Sequence, residues 1–347
     1  MPRRFTARTI RTFAFLLAAV LLSSCDRPSD ANIPGPAQGE VVVYCSVDQD
    51  FAKGILAGFE KQTGVRVLAR YDEEARKTTG LVQRLRAEKA HPAADVFWSG
   101  EIFQTIRLAE EGILRPYQGE AVKGWPPQFA DPDGRWFAFA LRMRVIAWDT
   151  RRVKADEVPQ RLEDLLGARW KGRLVMARPQ FGTTRGDVAS WFAHYGPGRA
   201  KEVLRGLAAN GVRLVQGNST AVRTVARGEA DVCFTDTDDV YVAQRNGWPI
   251  AMMPLDQGGE GALAIPNTAG LVAGGPSPAA GEKLLAYLLS EGVERALAGS
   301  DSRNTPIRAR LAAEFPANAL GKALKVDYAK VAAQMPAAMD AVREIFP

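Results

Sequence analysis

The chain of 347 residues is 46% apolar and 24% charged, and it carries 45 basic and 39 acidic residues. Four arginines fall within the first 25 residues, which contain no acidic residue, so the remainder is nearly balanced with 41 basic residues. This balance gives no reason to expect a nucleic-acid partner. No run after residue 25 is long and apolar enough to span a bilayer.

The N-terminus predicts an export signal. A basic start precedes an apolar run over residues 13–22, which is too short for a transmembrane helix. The following Leu22-Ser23-Ser24-Cys25 resembles a lipobox, in which the signal is cut before a cysteine that then carries acyl chains. An ordinary cleavage site before a cysteine is the alternative. We expect a signal peptide over residues 1–24 and a lipid anchor on Cys25, because several buried acyl chains hold a protein firmly at a membrane.

The residues after the anchor predict its location and a tether. In many lipoproteins of Gram-negative bacteria, an aspartate directly after the lipidated cysteine marks retention in the inner membrane, and Asp26 holds that position. We therefore expect a periplasmic protein that is anchored to the inner membrane. Residues 25–39 are rich in Pro, Gly, Asp and Ala without apolar periodicity, which predicts a flexible tether. Cys45 and Cys233 lie in apolar runs and are expected to be buried thiols; a disulfide between them would need adjacent strand ends.

Strand and helix signals alternate beyond the tether. Short apolar runs predict three strands, over residues 40–46, 65–71 and 94–100. Apolar residues at helical spacing follow each of them and predict helices over residues 50–64, 78–90 and 101–112. This βαβαβα order implies a parallel sheet with helices on both faces.

A second α/β segment follows two extended runs over residues 135–150. Its predicted strands cover residues 172–177, 212–215 and 231–237, and its predicted helices cover residues 184–196, 196–211 and 218–230. Two further extended runs and the C-terminal helices complete the chain. About three hundred residues are many for one compact core, so we expect two lobes joined by a two-strand hinge. The predicted lobes are residues 40–141 with 267–347, and residues 142–266.

Small polar residues follow each predicted strand, where open parallel sheets bind ligands. Gly-Thr-Thr and Gly-Asn-Ser at helix starts offer hydroxyls and backbone N–H groups to an anion. Ordinary helix caps, which contribute about 1 kcal/mol each, are the alternative for any single loop. Five such loops together favour a ligand cleft, and its predicted residues are Ser46, Asp48, Ser99, Gly100, Thr183, Thr184, Asn218, Ser219, Asp236 and Asp238.

The acidic stretch Thr235-Asp236-Thr237-Asp238-Asp239 follows a predicted core strand. Clustered carboxylates repel one another and raise the pKa of at least one of them unless a cation lies between them. The cluster therefore predicts a cation in the occupied cleft. Helix capping and a local turn are the alternative, and this alternative is stronger for Asp239 than for Asp236.

Motifs of common enzymes are missing from the sequence. It contains no nucleophile elbow, phosphate loop, dinucleotide fingerprint or H-E-x-x-H zinc motif. The two histidines, His91 and His194, fit structural positions better than catalytic or metal-binding ones. We therefore expect a protein that is not an enzyme and has no cofactor.

Several segments together resemble bacterial extracellular solute-binding proteins of ABC importers, in the branch called the ferric iron-binding family. The resemblance rests on residues 41–67 and 94–101, the segment "WKGRLVMARPQFGTT", "GNS" and "DSRNTPIR". It implies a type II periplasmic-binding-protein fold, an α/β fold in which two lobes, each a mostly parallel sheet flanked by helices, close around a solute. It also implies a monomer that delivers its solute to a membrane permease with an ATPase behind it.

The resemblance leaves the ligand open. Ferric-binding members commonly hold Fe(III) with two adjacent tyrosines, whose position falls near Thr237 and Asp238, and Tyr241 alone does not reproduce the pair. Because Fe(III) favours oxygen donors, Asp48, Asp236 and Asp238, with Tyr241, are the predicted metal ligands. Ferric iron with a synergistic anion is the first prediction. A phosphonate, phosphorylated solute or other zwitterion is the alternative, with its anionic end on the Thr and Asn loops.

Two other classes of function compete with solute delivery. A secreted hydrolase or transferase would use the acidic cluster in catalysis. A sensor module would bind a solute and signal to a membrane partner.

Overall fold

The computed structural model describes residues 39–72 and 78–347. The predicted signal peptide, the lipid anchor on Cys25 and nearly all of the predicted tether lie outside these residues. Within them, no helix combines the length and the apolar character that crossing a bilayer requires.

The first part of the described chain alternates strands and helices, as predicted. The strands are β1 (Glu40–Cys45), β2 (Arg66–Tyr71), β3 (Val96–Ser99) and β4 (Leu114–Arg115). The helices are α1 (Gln49–Thr63), α2 (Thr79–Ala87) and α3 (Phe103–Glu110). Helix α1 buries Ile55, Leu56 and Phe59 along one face. It ends at Gly64, whose left-handed conformation (φ 71°) is one that glycine adopts readily.

The second part contains the remaining elements. The strands are β5 (Phe137–Asp149), β6 (Leu174–Ala177), β7 (Arg213–Val215), β8 (Val232–Asp236), β9 (Ile250–Met253), β10 (Ala264–Val272) and β11 (Thr305–Pro306). The helices are α4 (Gly182–Ala209), α5 (Asn218–Ala226), α6 (Thr237–Arg245), α7 (Pro278–Leu288), α8 (Glu291–Gly299), α9 (Ala309–Glu314) and α10 (Tyr328–Ile345). Helix α4 is broken at Gly196 (φ 80°), directly before Pro197, so it consists of the two helices that the sequence predicts.

The strands form a mixed sheet whose path runs β2-β1-β3-β10-β5-β8-β6-β7. The outer pairs are parallel: β1 pairs with β2 and β3, and β6 pairs with β7 and β8. The middle pairs, which involve β5 and β10, are antiparallel. The predicted parallel order therefore occurs on both sides of the sheet, and antiparallel strands join the two sides.

Strand β5 passes from one side of the sheet to the other. Its residues 137–143 pair with β10, and its residues 144–148 pair with β8. The two extended runs predicted over residues 135–150 are thus one strand of 13 residues. We call β1 to β4, β10, β11 and the first part of β5 the first half-sheet. The second half-sheet contains the rest of β5 and β6 to β9, and residues 254–263 make a second connection between the two.

The C-terminal helix packs against helices that follow both half-sheets. Helix α10 contacts α4, which follows β6, and α3, which follows β3. Arg205 on α4 and Glu344 on α10 form an exposed ion pair of 3.0 Å. The predicted lobe boundaries, including the assignment of residues 267–347 to the first lobe, stay a prediction.

Alternate residues of β1 pack into cores on opposite faces of the first half-sheet. Val41 and Val43 face a cluster with residues of α1 and α7, whereas Val42 and Tyr44 face a cluster with residues of α2 and α3. Helices on both faces bury the strands and leave their carboxyl ends at one edge. Cys45 and Cys233 belong to separate apolar clusters and are buried thiols, as predicted.

We predict that Gly261→Ala destabilises the second connection between the half-sheets. Gly261 has φ +95°, and a Cβ atom there would lie 2.4 Å from the carbonyl oxygen of Lys322. The strain and the clash should lower the free energy of unfolding by about 1–3 kcal/mol. Gly54→Ala is the control, because Gly54 is exposed in α1 with open space around it. Chemical denaturation that gives equal stabilities for both variants would contradict the prediction.

Candidate functional site

Segments that follow six strands, β1, β2, β3, β6, β7 and β8, meet at a small cavity beside the crossing point of β5. The cavity has a volume of about 40 Å³. Since about 10–15 Å³ is enough for one water molecule, it holds roughly three water-sized groups, which suits an ion or an oxyanion group. Eight of the ten predicted cleft residues line this inner cavity: Ser46, Asp48, Gly100, Thr183, Thr184, Asn218, Asp236 and Asp238.

The other predicted residues lie outside the inner cavity. Ser99 lies beneath it, where its hydroxyl accepts hydrogen bonds from Ser46 (3.3 Å) and from the N–H of Glu101 (3.2 Å). Ser219 lines a neighbouring outer cavity of about 670 Å³, which shares Asp48, Asp238 and Asp239 with the inner one.

Tyr241, a predicted metal ligand, lines neither cavity. Its hydroxyl donates to the carbonyl oxygen of Ala317 (3.3 Å), and the guanidinium of Arg303 lies 4.9 Å from its ring centroid. The structure therefore does not bring Tyr241 to the carboxylates with which it was grouped.

Asp236, the last residue of β8, is the centre of the polar network. Its Oδ1 accepts a hydrogen bond from Arg144 Nη1 (2.7 Å), and its Oδ2 accepts from Thr183 Oγ1 (2.7 Å) and Asn218 Nδ2 (3.0 Å). Burial by itself raises the pKa of Asp236, but Arg144 and Arg142 outweigh it and hold the pKa below its ordinary value. Asp236 is therefore an ionised carboxylate whose two oxygens already have partners.

Arg144 connects the loops of the second half-sheet. It lies directly opposite Asp236 in the antiparallel pair of β5 and β8. Its guanidinium also donates to Asp187 on α4 (3.1 Å) and more weakly to Thr183 and Thr184. Because Arg144 is only 3% exposed, these acceptors supply the hydrogen bonds that a buried guanidinium requires.

Arg142 lies between the two carboxylates that were predicted to hold a cation. Its Nε is 3.3 Å from Asp236 Oδ2, and its Nη1 donates to Asp238 Oδ2 (3.2 Å). Its Nη2 donates to the carbonyl oxygen of Gly100 (2.7 Å), which follows β3 of the first half-sheet. The cation that the repulsion between these carboxylates requires is thus a side chain of the protein itself.

The prediction from sequence missed both arginines. The segment "FAFALRMRVIAWD" places them two residues apart in a strand whose other residues, except the last, Asp149, are apolar. Residues at this spacing point to the same face of a strand, and arginine is almost never buried without a partner. This pattern is the signal that could have found them.

The loops of the first half-sheet form a hydroxyl cluster. Ser46 Oγ accepts a hydrogen bond from the N–H of Gly100 (3.2 Å) and lies 3.3 Å from Thr78 Oγ1, which donates to it. Ser46, Thr78 and Gly100 all line the inner cavity. These contacts hold the start of α3 against the loop after β1.

The first turns of α4 and α5 open toward the inner cavity. Neither helix has a hydrogen bond from an N-cap side chain. In the described parts of the chain, no acceptor bonds the N–H groups of Gly182, Thr183 and Thr184. Helix N-termini carry partial positive charge, so two of them at one cavity favour a negative group there.

Glu101 is a buried carboxylate in the wall of the inner cavity. It is 2% exposed, and it accepts hydrogen bonds from the N–H groups of Phe103 (2.8 Å) and Gln104 (3.2 Å) at the start of α3. Burial raises the pKa of Glu101 to about 7, although these N–H groups and the nearby arginines act in the opposite direction. Its charge therefore changes near neutral pH.

Asp236, Asp238 and Asp239 are the described residues that come nearest to a metal site. One oxygen of each lies within 4.8 Å of the others, a spacing that a hard cation could bridge. Arg142 contacts two of the three carboxylates. A metal ion at this position would therefore have to displace its guanidinium.

Comparisons with known proteins agree on one family. A family model described as bacterial extracellular solute-binding protein matches residues 91–331. Iron uptake protein A1 of Synechocystis is 28% identical over 311 residues, which cover 86% of this chain and 85% of that protein. The "Putative 2-aminoethylphosphonate-binding periplasmic protein" of Salmonella typhi is 27% identical and covers 75% of this chain and 77% of its own length.

The solved structures confirm the predicted fold class. Iron-bound HitA from Pseudomonas aeruginosa has a TM-score of 0.79 at 23% identity and covers 89% of this chain and 99% of its own. This likeness shows the type II periplasmic-binding-protein fold.

We predict that Glu101 makes stability decrease as pH rises. Since its pKa of about 7 in the folded chain exceeds its ordinary value of 4.5, the folded state holds a proton that the unfolded state has lost. The contribution is full below the ordinary value and is lost as pH rises through about 7, at most about 3 kcal/mol. Glu101→Gln should remove this slope in chemical denaturation between about pH 5 and about pH 8.

Glu110→Gln is the control for this measurement, because Glu110 is an exposed glutamate at the end of α3, the helix that begins two residues after Glu101. It should keep the slope of the unsubstituted protein. If the free energies of unfolding of the unsubstituted protein and of Glu101→Gln differ by the same amount at every pH, the raised pKa of Glu101 is contradicted.

Proposed function

The chain belongs to the bacterial extracellular solute-binding proteins, and from this premise we propose that it carries a small oxyanion-bearing solute to an ABC importer. The oxyanion would be a phosphonate or phosphate group in the inner cavity. The outer cavity would take the rest of the solute.

Family membership decides the class of function. A member of this family is a solute-binding protein and not an enzyme, so the hydrolase alternative is excluded. The family also agrees with a periplasmic location, a small solute or metal ion as ligand and an ABC permease as partner. Relatives named for iron are uptake or binding proteins, so iron in them is a ligand rather than a cofactor.

The N-termini of α4 and α5 carry the proposal of an anionic ligand. The first turn of α4, whose N–H groups at residues 182–184 have no acceptor among the described residues, meets the start of α5 at a cavity whose size suits one oxyanion group. Arg142 lies in the cavity wall, and the exposed Arg178 lines its rim. A negative group there would face two helix dipoles and these two guanidinium groups.

The outer cavity supports a solute with a positive group at its other end. Asp48, Asp238 and Asp239 line both cavities, so an ammonium group beside them would stand a few atoms from an oxyanion in the inner one. An aminophosphonate has this arrangement of charges. The relative named for 2-aminoethylphosphonate supports this class of ligand.

Ferric iron with a synergistic anion, the first prediction from sequence, is the second candidate. The three carboxylates at one point and the relative named as an iron uptake protein favour it. The engaged oxygens of Asp236 and the position of Arg142 count against it.

Delivery would proceed by closure of the lobes around the solute. Arg142 and Arg144 lie on β5 on either side of Met143, where the strand passes from one half-sheet to the other. Bending at this point would change the distance between Gly100 and Asp238, which Arg142 now bridges. Solute uptake by cells that contain the permease would distinguish delivery from the sensor alternative.

We predict that residues 26–347 are stabilised by oxyanion-bearing solutes. The test is a thermal-shift series with phosphate, 2-aminoethylphosphonate, hexose phosphates, polyamines and ferric citrate. A ligand at about 100 times its dissociation constant should add about 2.7 kcal/mol to the stability of the folded state. If ferric citrate alone raises the midpoint of thermal unfolding, the ligand is iron and the proposed oxyanion-bearing solute is wrong.

Substitutions at Gln216 test the sign of the ligand charge. Gln216 is exposed and lines the inner cavity. Gln216→Glu should lower the affinity for an anionic ligand by about fivefold to tenfold, and Gln216→Lys should raise it. The reason is that a charge near the ligand changes the free energy of binding by about 1 kcal/mol. Gln62→Glu on the exposed face of α1 is the control. The opposite order of the two affinities would indicate a cationic ligand.

We also propose that Cys25 carries the lipid anchor. Cys25→Ser should move the protein from the membrane fraction to the soluble periplasmic fraction, because the acyl chains would have no attachment site. Fractionation followed by mass spectrometry of the N-terminus checks this. Recovery of the unsubstituted protein in the soluble fraction would contradict it.

A further inference from the structure

We infer that Arg142 is the residue that decides whether this cleft accepts an anion or a metal ion. Its guanidinium acts as a tethered cation between Asp236 and Asp238, so that a free metal ion has no place there. This inference deepens the proposed function and rests on it. It assigns to one side chain the choice between the two candidate ligands.

The position of Arg142 is that of a bound cation. The residue is 7% exposed, and it lies 3.3 Å from Asp236 Oδ2 and 3.2 Å from Asp238 Oδ2. Among the described residues, no acceptor forms a hydrogen bond with its Nε, so the contact with Asp236 is an ion pair without hydrogen-bond geometry. A metal ion between the same two oxygens would occupy the same space.

The guanidinium cannot leave its place by losing its proton. Arginine stays protonated in proteins, and the guanidinium of Arg142 faces the carboxylates of Asp236 and Asp238 on one side. The bond from Nη2 to the carbonyl oxygen of Gly100 (2.7 Å) holds the group from the other side. Arg142 therefore stays charged, and contacts on two sides fix its position.

Removal of the guanidinium would leave a set of ligands for a hard cation. One carboxylate oxygen each of Asp236, Asp238 and Asp239 would face one another within 4.8 Å. Arg144 would still bind Asp236 through Oδ1, so this carboxylate would keep its orientation. Three carboxylate oxygens suit a trivalent, oxygen-seeking ion.

The test is equilibrium dialysis of the mature chain against terbium(III) chloride and against ferric citrate, with bound metal measured by elemental analysis. Arg142→Met, which removes the charge but keeps the length, should bind one metal ion at least about tenfold more tightly than the unsubstituted protein. Arg142→Lys keeps the charge and should show no gain. Arg178→Met is the matched control, because Arg178 lines the same cavity away from the two carboxylates.

Further variants locate the metal and allow for misfolding. Asp238→Asn added to Arg142→Met should abolish the gained binding. If Arg142→Met does not fold alone, Arg142→Gln, which keeps a donor toward Gly100, takes its place. If neither variant folds in buffer, we expect terbium(III) to restore cooperative unfolding. Failure of that rescue would overturn the role assigned to Arg142.

Two results would overturn the inference. One is stoichiometric metal binding by the unsubstituted protein at the affinity of the variant. The other is a folded Arg142→Met that gains no metal. Because anion binding by the unsubstituted protein is measured separately in the thermal-shift series, failure of the proposed ligand class is distinguishable from failure of the role of Arg142.

Discussion

The buried ion network around Asp236 is the interaction on which the site depends. Moving a charged group out of water costs several kcal/mol unless a partner offsets that cost, and here two arginines and three aspartates offset one another. Arg144 binds one oxygen of Asp236, and Arg142 lies beside the other. Thr183 and Asn218 bind Asp236 as well, so the starts of α4 and α5 are held by the same carboxylate. Without this network, the two helix N-termini would have no common point to face.

The network lies at the point where β5 passes from one half-sheet to the other. The partner strand of β5 changes between residues 143 and 144, so Arg142 lies before this point and Arg144 lies after it. Arg142 bridges Gly100 in one half and Asp238 in the other. A solute that contacts Arg142 therefore acts directly on a link between the two halves. This arrangement suits a protein that must close around its ligand and open again at a permease.

The acidic cluster after β8 is balanced by a cation of the protein itself. The structure brings Asp236, Asp238 and Asp239 together, as their places after a core strand predict. Their repulsion does require a cation, but Arg142 supplies it from another strand. The sequence pointed to a cation from outside the chain, because a partner on a distant strand cannot be identified from local spacing. Tyr241 lies one turn after Asp238 in α6, but its hydroxyl donates to the carbonyl oxygen of Ala317, a distant partner that local spacing does not reveal.

The sequence by itself determined most of the secondary structure, the α/β class and the loops that line the inner cavity. Apolar periodicity and glycine stops depend on neighbours in the chain, so β1, α1 and the break in α4 at Gly196 were predictable. Only the tertiary structure decided which cation lies between the clustered carboxylates. The antiparallel pair of β5 with β8 sets Arg144 opposite Asp236, more than ninety residues away, and the adjacent Arg142 completes the ion pairs. Charge balance in a buried site depends on such distant pairs, and pairing of strands is a property of the folded chain.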